Sequence, residues 1–442
     1  MFSIDPARET AVDFLSQVDA GTLRLDQLAK KSHAASLETR DRNFVRQLVY
    51  GTLRFRRRLD WIVNQFTHRP LCTSSNLLQQ ILRAGAFQIC FLDRTPVHAA
   101  VDTAVSMAKR HVSDGSGRMV NAVLRRVGDN RDRFPYPPRE TDLLGFLETF
   151  HSHPRWLVER WVQRWGAEIA EATLAINNKP SATTIRPNRL RTDRDRLLDR
   201  LRNAGLEVEP CGPLNASLSV RSGEELFKSA EFAEGLFQVQ DPNAAIPVVL
   251  LDPQPGDSVL DSCSAPGGKT TQIAEAMNDR GLVVALDLHP GRLQRVRENI
   301  GRLGLRCIRP VAQDITHFEG SFDRVLADVP CTGTGVFGRR PDMRWRRGPD
   351  DLVAMAATQL PILRHAFANL KPGGVLTYST CSLEPEENEL LVERFLASEP
   401  RGRLESACAT FPQTVWAGRY VETIPGREGG DGCFAARIRR LA

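Results

Sequence analysis

At 442 residues, with 41% hydrophobic and 25% charged side chains, the chain has the composition of a globular protein of two or three domains, which excludes a disordered or fibrous polymer. Nine scattered cysteines, with no C-x-x-C pair, exclude a disulfide framework and a structural zinc site and point to a reducing, cytoplasmic setting without a bound metal. The formal charge of +6 suits a polyanionic partner, although a codon bias towards arginine (52 arginines against seven lysines) accounts for it equally well. Met1–Pro6 holds no basic-then-apolar leader, and no apolar run reaches bilayer length, Ala244–Leu251 being short and interrupted by Pro247, so no membrane role is expected.

Residues 1–140 carry apolar side chains at three-to-four spacing in Ala11–Leu15, Phe44–Tyr50, Leu77–Leu82, Ala99–Ala108 and Val120–Val127, the pattern of an all-helical domain. Gly21, Pro70 and Pro96 fall between these runs. The proline cluster in Arg131–Arg139 predicts a linker. Residues 141–235 read as a small α+β module: a helix through Trp156–Trp165, a basic strand at Thr183–Asn188, and an amphipathic helix from Asp193 to Ala204 ended by Gly205. From 236 to 442 short strands alternate with loops and helices, which predicts a doubly wound parallel sheet.

Chemistry gathers at the ends of the predicted strands in this last region, where open α/β sheets bind ligands. The first strand runs into Asp261-Ser262-Cys263-Ser264-Ala265-Pro266-Gly267-Gly268-Lys269-Thr270. Gly268, Lys269 and Thr270 match the end of the NTPase loop G-x-x-x-x-G-K-[ST], but Cys263 stands where that loop requires glycine, and G-x-G-x-x-G is absent too. Asp287 closes the next strand, 19 residues past Gly268, at the spacing of a ribose acceptor. Asp314 follows a third strand near Ile308–Val311, where a carboxylate can accept from an adenine amine. A loop without a diphosphate cradle, followed by ribose and adenine acceptors, fits S-adenosylmethionine better than ATP or NAD. Each aspartate alone would read as a turn residue or helix cap; their serial placement favours the cofactor.

Two further strand-like runs, Arg324–Ala327 and Val375–Tyr378, lead into Asp328-Val329-Pro330-Cys331 and Ser379-Thr380-Cys381. With Thr332-Gly333-Thr334-Gly335 and Ser382, these motifs and the Asp261–Thr270 loop resemble the signatures of RNA cytosine-C5 methyltransferases. Asp41–Phe44, Val49–Arg54 and Val120–Arg125 are similar to the NusB-like amino-terminal domain of the RsmB (Fmu/Sun) branch, which acts on bacterial small-subunit rRNA. Ser262, Ser264, Val329 and Thr332 are minor departures. The resemblance implies a NusB-like all-α domain, a small α+β module that binds RNA or links, and an α/β Rossmann-like class I methyltransferase domain.

It also implies roles: Cys381 as the nucleophile at cytosine C6, Asp328 at the base edge near N3, and Cys331 in release of the product, as base or as facilitator of elimination. The cofactor contacts it implies are Cys263, Ser264, Ala265, Pro266, Gly267, Gly268, Lys269, Asp287, Asp314 and Asp328. C5 of cytosine is a poor nucleophile until a thiolate adds at C6, and the base must leave its stack to be reached. RNA contacts are expected from Arg339, Arg340, Arg344, Trp345, Arg346 and Arg347, which follow the Pro-Cys motif, with Arg54, Arg56, Arg57 and Arg58 as a second candidate cluster. Alternatives are a cytosine-C5 enzyme for tRNA or large-subunit rRNA, and a non-catalytic NusB-like RNA-binding factor. An exocyclic-amine methyltransferase would carry Asn/Asp-Pro-Pro-aromatic in place of Asp328–Cys331. Oligomeric state is not legible, and a monomer is assumed.

Overall fold

In the computed structural model the described residues are 5–30, 37–214, 216–221, 223–411, 417–427 and 429–442. The leader reading at Met1–Ile4 thus lies outside them. Two compact units are present: one of residues 1–179 with Phe337–Arg346, the other of residues 180–336 with 347–442.

The first unit is helical among its described residues. Asp5 starts it by accepting from the backbone N–H of Ala7 and Arg8 ahead of a helix over Pro6–Asp19 with proline in its first turn. Helices Thr39–Arg54, Arg56–Asn64, Asn76–Phe91, Val97–His111 and Asp114–Asp129 follow, and Phe14, Leu48, Ile81, Leu82, Val120 and Leu124 close one shared core. The predicted linker over 131–139 is coil but packed: Pro135 O accepts from Trp61 Nε1 at 2.9 Å, and the Tyr136 hydroxyl accepts from Arg58 Nε at 2.7 Å. Helices Leu143–Phe150, Arg155–Trp165 and Ala167–Ile176 also pack within this unit, which runs to residue 179. Contacts distant in the chain tie them in: Arg57 pairs with Glu148, its N–H reaches Ser152 Oγ at 3.0 Å, and Arg58 lies 4.2 Å from the Phe150 ring centre.

The second unit opens with a four-stranded antiparallel sheet, ordered β2 (Val208–Cys211), β3 (Ser217–Val220), β1 (Thr183–Pro187), β4 (Phe237–Val239). The predicted helix runs over Arg194–Asn203, capped by Asp193, and Leu197 and Leu201 pack on Ile185, Leu218 and Phe237. Arg186 on β1 ties this sheet to the next through Glu275 and through Thr271 Oγ1 at 3.2 Å.

The large sheet holds β5 (Ser258–Asp261), β6 (Leu282–Asp287), β7 (Ile308–Ala312), β8 (Phe322–Asp328) and β9 (Leu370–Thr380), all parallel. Antiparallel β12 (Cys433–Arg440) pairs with β9 and carries β10 (Gly402–Glu405) and β11 (Val421–Thr423), so the sheet is mixed rather than wholly parallel. Its order, β10-β12-β9-β8-β5-β6-β7, reverses at β5. Open α/β sheets bind ligands at such a switch point, beyond the carboxyl ends of the strands, here those of β5, β6 and β8. Among the described residues no helix is long and apolar enough to cross a membrane.

Candidate active site

The loop after β5 is held at the switch point by its neighbours' backbones. Ser262 N–H donates to Leu326 O of β8 at 2.9 Å and Ser264 N–H to Leu286 O of β6 at 2.8 Å. Gly267, at φ +102°, then turns the chain into the helix Gly268–Ala276, a conformation that disfavours any side chain. Asp261 is buried beneath this turn: Oδ2 accepts from Thr270 Oγ1 at 2.6 Å, while Oδ1 has no hydrogen-bond partner within 3.5 Å among the described residues. Burial pushes its pKa up to about 7, against the Thr270 hydrogen bond and reinforced by the charge of Asp328. Burial, with Asp261 and Asp328 adding to it, also pushes the Cys263 thiol up to about 12, so this sulfur lines the loop as a thiol.

Asp287 lies at the end of β6, 3% exposed, accepting from His289 N–H at 3.0 Å and from Ala265 N–H at 3.2 Å, with Arg292 Nη1 3.4 Å away. The strand-end acid and the β5 loop are therefore one hydrogen-bonded unit. Asp314 caps the turn Ile315–His317 through Thr316 N–H at 2.9 Å, a bond that holds its carboxyl below the ordinary range. Leu288, next to Asp287, was not singled out from the sequence; at 57% exposed it offers an apolar surface at the same strand end. Its signal was faint, a single apolar residue just past a strand.

Pairing of β8 with β9 sets Asp328 opposite Ser379, and Ser379 Oγ donates to Asp328 Oδ1 at 2.7 Å. Lys269 Nζ reaches Asp328 Oδ2, also at 2.7 Å. Burial works against the Lys269 charge, but the Asp328 carboxylate outweighs it and raises the lysine's pKa. Beyond the two strand ends Cys331 Sγ and Cys381 Sγ stand 3.2 Å apart. The Cys331 thiol is driven far up by its hydrogen bond with Cys381, by burial, and by the charges of Cys381 and Glu387.

The loops are interlocked as well as adjacent. Gly335 N–H donates to Cys381 O at 3.0 Å, and a Cβ at Gly335 would come within 2.7 Å of that oxygen. Glu387, wholly buried, accepts from Thr332 N–H at 2.8 Å, Gln359 Nε2 at 2.9 Å, Ser382 Oγ at 2.5 Å and the Thr332 hydroxyl. The sequence hid it inside an acidic run, Glu384–Glu389, of the kind usually solvated.

The arginine-rich segment departs from expectation. Phe337–Arg346 belongs to the helical unit, and Arg344 is 0% exposed. Its Nη1 donates to Arg54 O, Ser152 O and Asn178 Oδ1, and its Nη2 to Asn177 O, at 2.8–3.1 Å. Burial lowers its pKa well below the usual arginine value, and no phosphate can reach it. Trp345 Nε1 donates to Leu53 O at 2.6 Å, under the Arg56 guanidinium, and Arg346 donates to Val18 O and Leu23 O. Arg340 faces Asp26 and Asp342, and Arg347 faces Asp351; Arg339 is half-buried. In the other cluster Arg54 is buried against Gly338 O, Arg56 pairs with Asp19, and Arg58 sits among Phe91, Tyr136 and Phe150; only Arg57 is exposed. For Arg344 above all, an RNA contact is replaced by a scaffold role.

Comparison with known proteins agrees with this architecture. Residues 5–129 match the NusB family, 153–224 the RsmF/B-like methyltransferase ferredoxin-like domain, and 248–439 the 16S rRNA methyltransferase RsmB/F family. A Bacillus subtilis (strain 168) protein named "Probable ribosomal RNA small subunit methyltransferase B" is 33% identical over 98% of both chains. A Synechocystis sp. protein of the same name is 35% identical over 90% of this chain and 91% of its own. The crystal structure of PH0851 superposes with a TM-score of 0.81 over 99% of this chain and 100% of that one, at 26% identity. The helical unit, the small antiparallel sheet and the mixed switch-point sheet are thus the three parts of one known enzyme architecture, and the chain belongs to the ribosomal RNA small subunit methyltransferase B family.

Proposed function

We propose that this chain transfers a methyl group from S-adenosylmethionine to C5 of a cytosine in small-subunit rRNA, through a covalent bond between Cys381 Sγ and C6. The observation that carries the reading is the 3.2 Å approach of two thiols at the ends of adjacent parallel strands, beside an aspartate held by a lysine. One thiol is needed to add to the base and a second group to help it leave. The resemblance of Ser379-Thr380-Cys381 to the family's nucleophile motif supports Cys381 as the attacking sulfur.

The residues fit the cofactor. Asp261 Oδ1 is a buried acceptor without a hydrogen-bond partner among the described residues, a suitable mate for the ammonium of a methionine moiety. The Cys263–Lys269 turn brings backbone close to that point, Asp287 and Asp314 are the strand-end acids for ribose and adenine, and Leu288 supplies apolar area for a purine face. When bound, the cofactor supplies a methyl group on sulfonium.

As Cys381 sulfur bonds to C6, the C5–C6 double bond opens and charge collects at C5 and along the N3 edge. Asp328 meets that edge, with Lys269 beside it to offset the charge. Once C5 carries the methyl group, its proton is removed, the C6–sulfur bond breaks, and the double bond returns. Cys331, in contact with Cys381, serves this release. The match to the NusB family supports RNA binding by the helical domain, and a ribosomal substrate is consistent with a cytoplasmic setting.

Methyl transfer from labelled S-adenosylmethionine to unmodified small-subunit rRNA tests the reading, comparing wild type with Cys381→Ala and identifying the nucleoside. 5-Methylcytidine from wild type alone is the expected result. Another methylated nucleoside, or undiminished transfer by Cys381→Ala, overturns it.

A further inference from the structure

Glu387 ends the short turn Pro385–Glu387, six residues after Cys381, and no water reaches it. Its carboxylate accepts four hydrogen bonds, from the backbone N–H and hydroxyl of Thr332, from Ser382 Oγ and from Gln359 Nε2. Thr332 directly follows Cys331, and Ser382 directly follows Cys381. Gln359 Nε2 also donates to Pro330 O, just before Cys331, at 2.9 Å. Asn388, the next residue, accepts from Thr380 Oγ1 at 2.6 Å and donates to Ser382 O at 2.9 Å. The Tyr378 hydroxyl, from β9, donates to Glu387 O at 2.6 Å. The residues before and after both cysteines are therefore fastened to one hub that touches neither sulfur.

Among the described residues no lysine or arginine pairs with Glu387. A buried carboxylate held only by neutral donors is a costly way to gain stability, since well-packed apolar groups serve stability as well or better. What this carboxylate does supply is register: two acceptor oxygens, each shared between donors from different segments.

We infer that Glu387 is a positioning residue that locks the Pro-Cys and Thr-Cys loops together and so sets the approach of Cys331 to Cys381; this rests on the cytosine-C5 reading above. Its charge also lies among the influences that keep the proton on Cys331. Misplacing reacting groups by about 1 Å costs roughly 100-fold in rate, which is the scale of effect the lock protects.

The test is Glu387→Gln, equal in shape but with one acceptor turned into a donor facing other donors. Turnover at saturating S-adenosylmethionine should fall roughly 100-fold, while KM for the cofactor and the thermal shift given by S-adenosylhomocysteine stay within about twofold of wild type. A second readout is independent of RNA chemistry. Diamide takes one hydrogen from each of two thiols, becoming the hydrazine as the disulfide forms. The rate of Cys331–Cys381 bridging, mapped by mass spectrometry, should fall about tenfold or more, as separated thiols bridge slowly. Alkylation of exposed Cys408 is the control and should not change.

If Glu387→Gln is insoluble, Thr332→Val, which deletes one donor, should show the same split on a smaller scale, with Thr332→Ser restoring wild-type rates. Wild-type turnover and bridging in the variant overturn the inference. So does a parallel loss of turnover, cofactor binding and thermal stability, the mark of a merely structural residue. A wild type that makes no 5-methylcytidine sinks the reaction assignment alone, because the bridging assay still reports the lock.

Discussion

Glu387 and Arg344 are both charged, both fully buried, and both bound by four hydrogen-bonding groups, yet they serve different regions. The partners of Glu387 flank the two cysteines. Those of Arg344 are carbonyls from the end of one helix, from the Ser152 turn, and from the end of another helix. Burial of a charge says that the structure is committed to it; only the identity of the partners says whether to chemistry or to scaffold.

The sharpest way to separate the two regions is Cys331→Ala. A covalent RNA–protein adduct should accumulate, stable to denaturing gels, and vanish in the Cys331→Ala/Cys381→Ala double variant. Thermal stability should change little, because a small thiol is lost from a loop held by other bonds. An adduct that survives in the double variant would exchange or overturn the roles of the two sulfurs.

Arg344→Met should do the reverse. It leaves several buried oxygens without donors, at about 1–3 kcal/mol each, so a total near 3 kcal/mol is a modest expectation. In a unit of this size that lowers the thermal midpoint by roughly 10 °C, as calorimetry would record. Cofactor affinity should hold at temperatures where the variant is folded. A midpoint within a degree or two of wild type would remove Arg344 from the scaffold.

Asp261 lies between the two cases, and its effect is the smallest. Its carboxyl ionises near 3.8 when unfolded and near 7 when folded, so between those values the folded state binds the extra proton. Stability therefore falls as pH rises from about 4 to about 7 and is level above that. An ammonium ligand prefers the ionised form, so S-adenosylhomocysteine affinity should rise with pH up to about 7, at most about tenfold per unit. Both slopes should disappear in Asp261→Asn. Identical calorimetric profiles for variant and wild type would place the titration elsewhere.

The strand ends were legible because hydrophobic runs broke abruptly into small polar residues at Asp261, Asp328 and Ser379, and a parallel sheet must gather such ends on one side. Asp287 and Asp314 were legible for the same reason. The arginines were not, because a guanidinium bonded to carbonyls and one bonded to phosphates are spelled alike. The run Glu384–Glu389 misled in the opposite direction: Glu384, Glu387 and Asn388 are each at most 1% exposed, in a stretch that reads as solvated. The mixed edge of the sheet was obscured by Arg437, Arg439 and Arg440, whose charges are met by Glu405 and by the Leu251, Gly373 and Ala368 carbonyls. Helix membership near 143–176 depended on contacts such as Arg57 with Glu148, far apart in the chain.

The segment Phe337–Arg346 carries a consequence for how this chain can be taken apart. It begins two residues after Gly335, which is bonded to the Cys381 carbonyl, yet it is counted among the helices. No single cut in the polypeptide yields both units whole. A fragment starting at residue 180 keeps both cysteines but carries the segment without the Arg54, Ser152 and Asn177 carbonyls that bind Arg344. Exchange of whole domains with a relative must therefore carry this ten-residue insert with the amino-terminal half, or the two halves are inherited together.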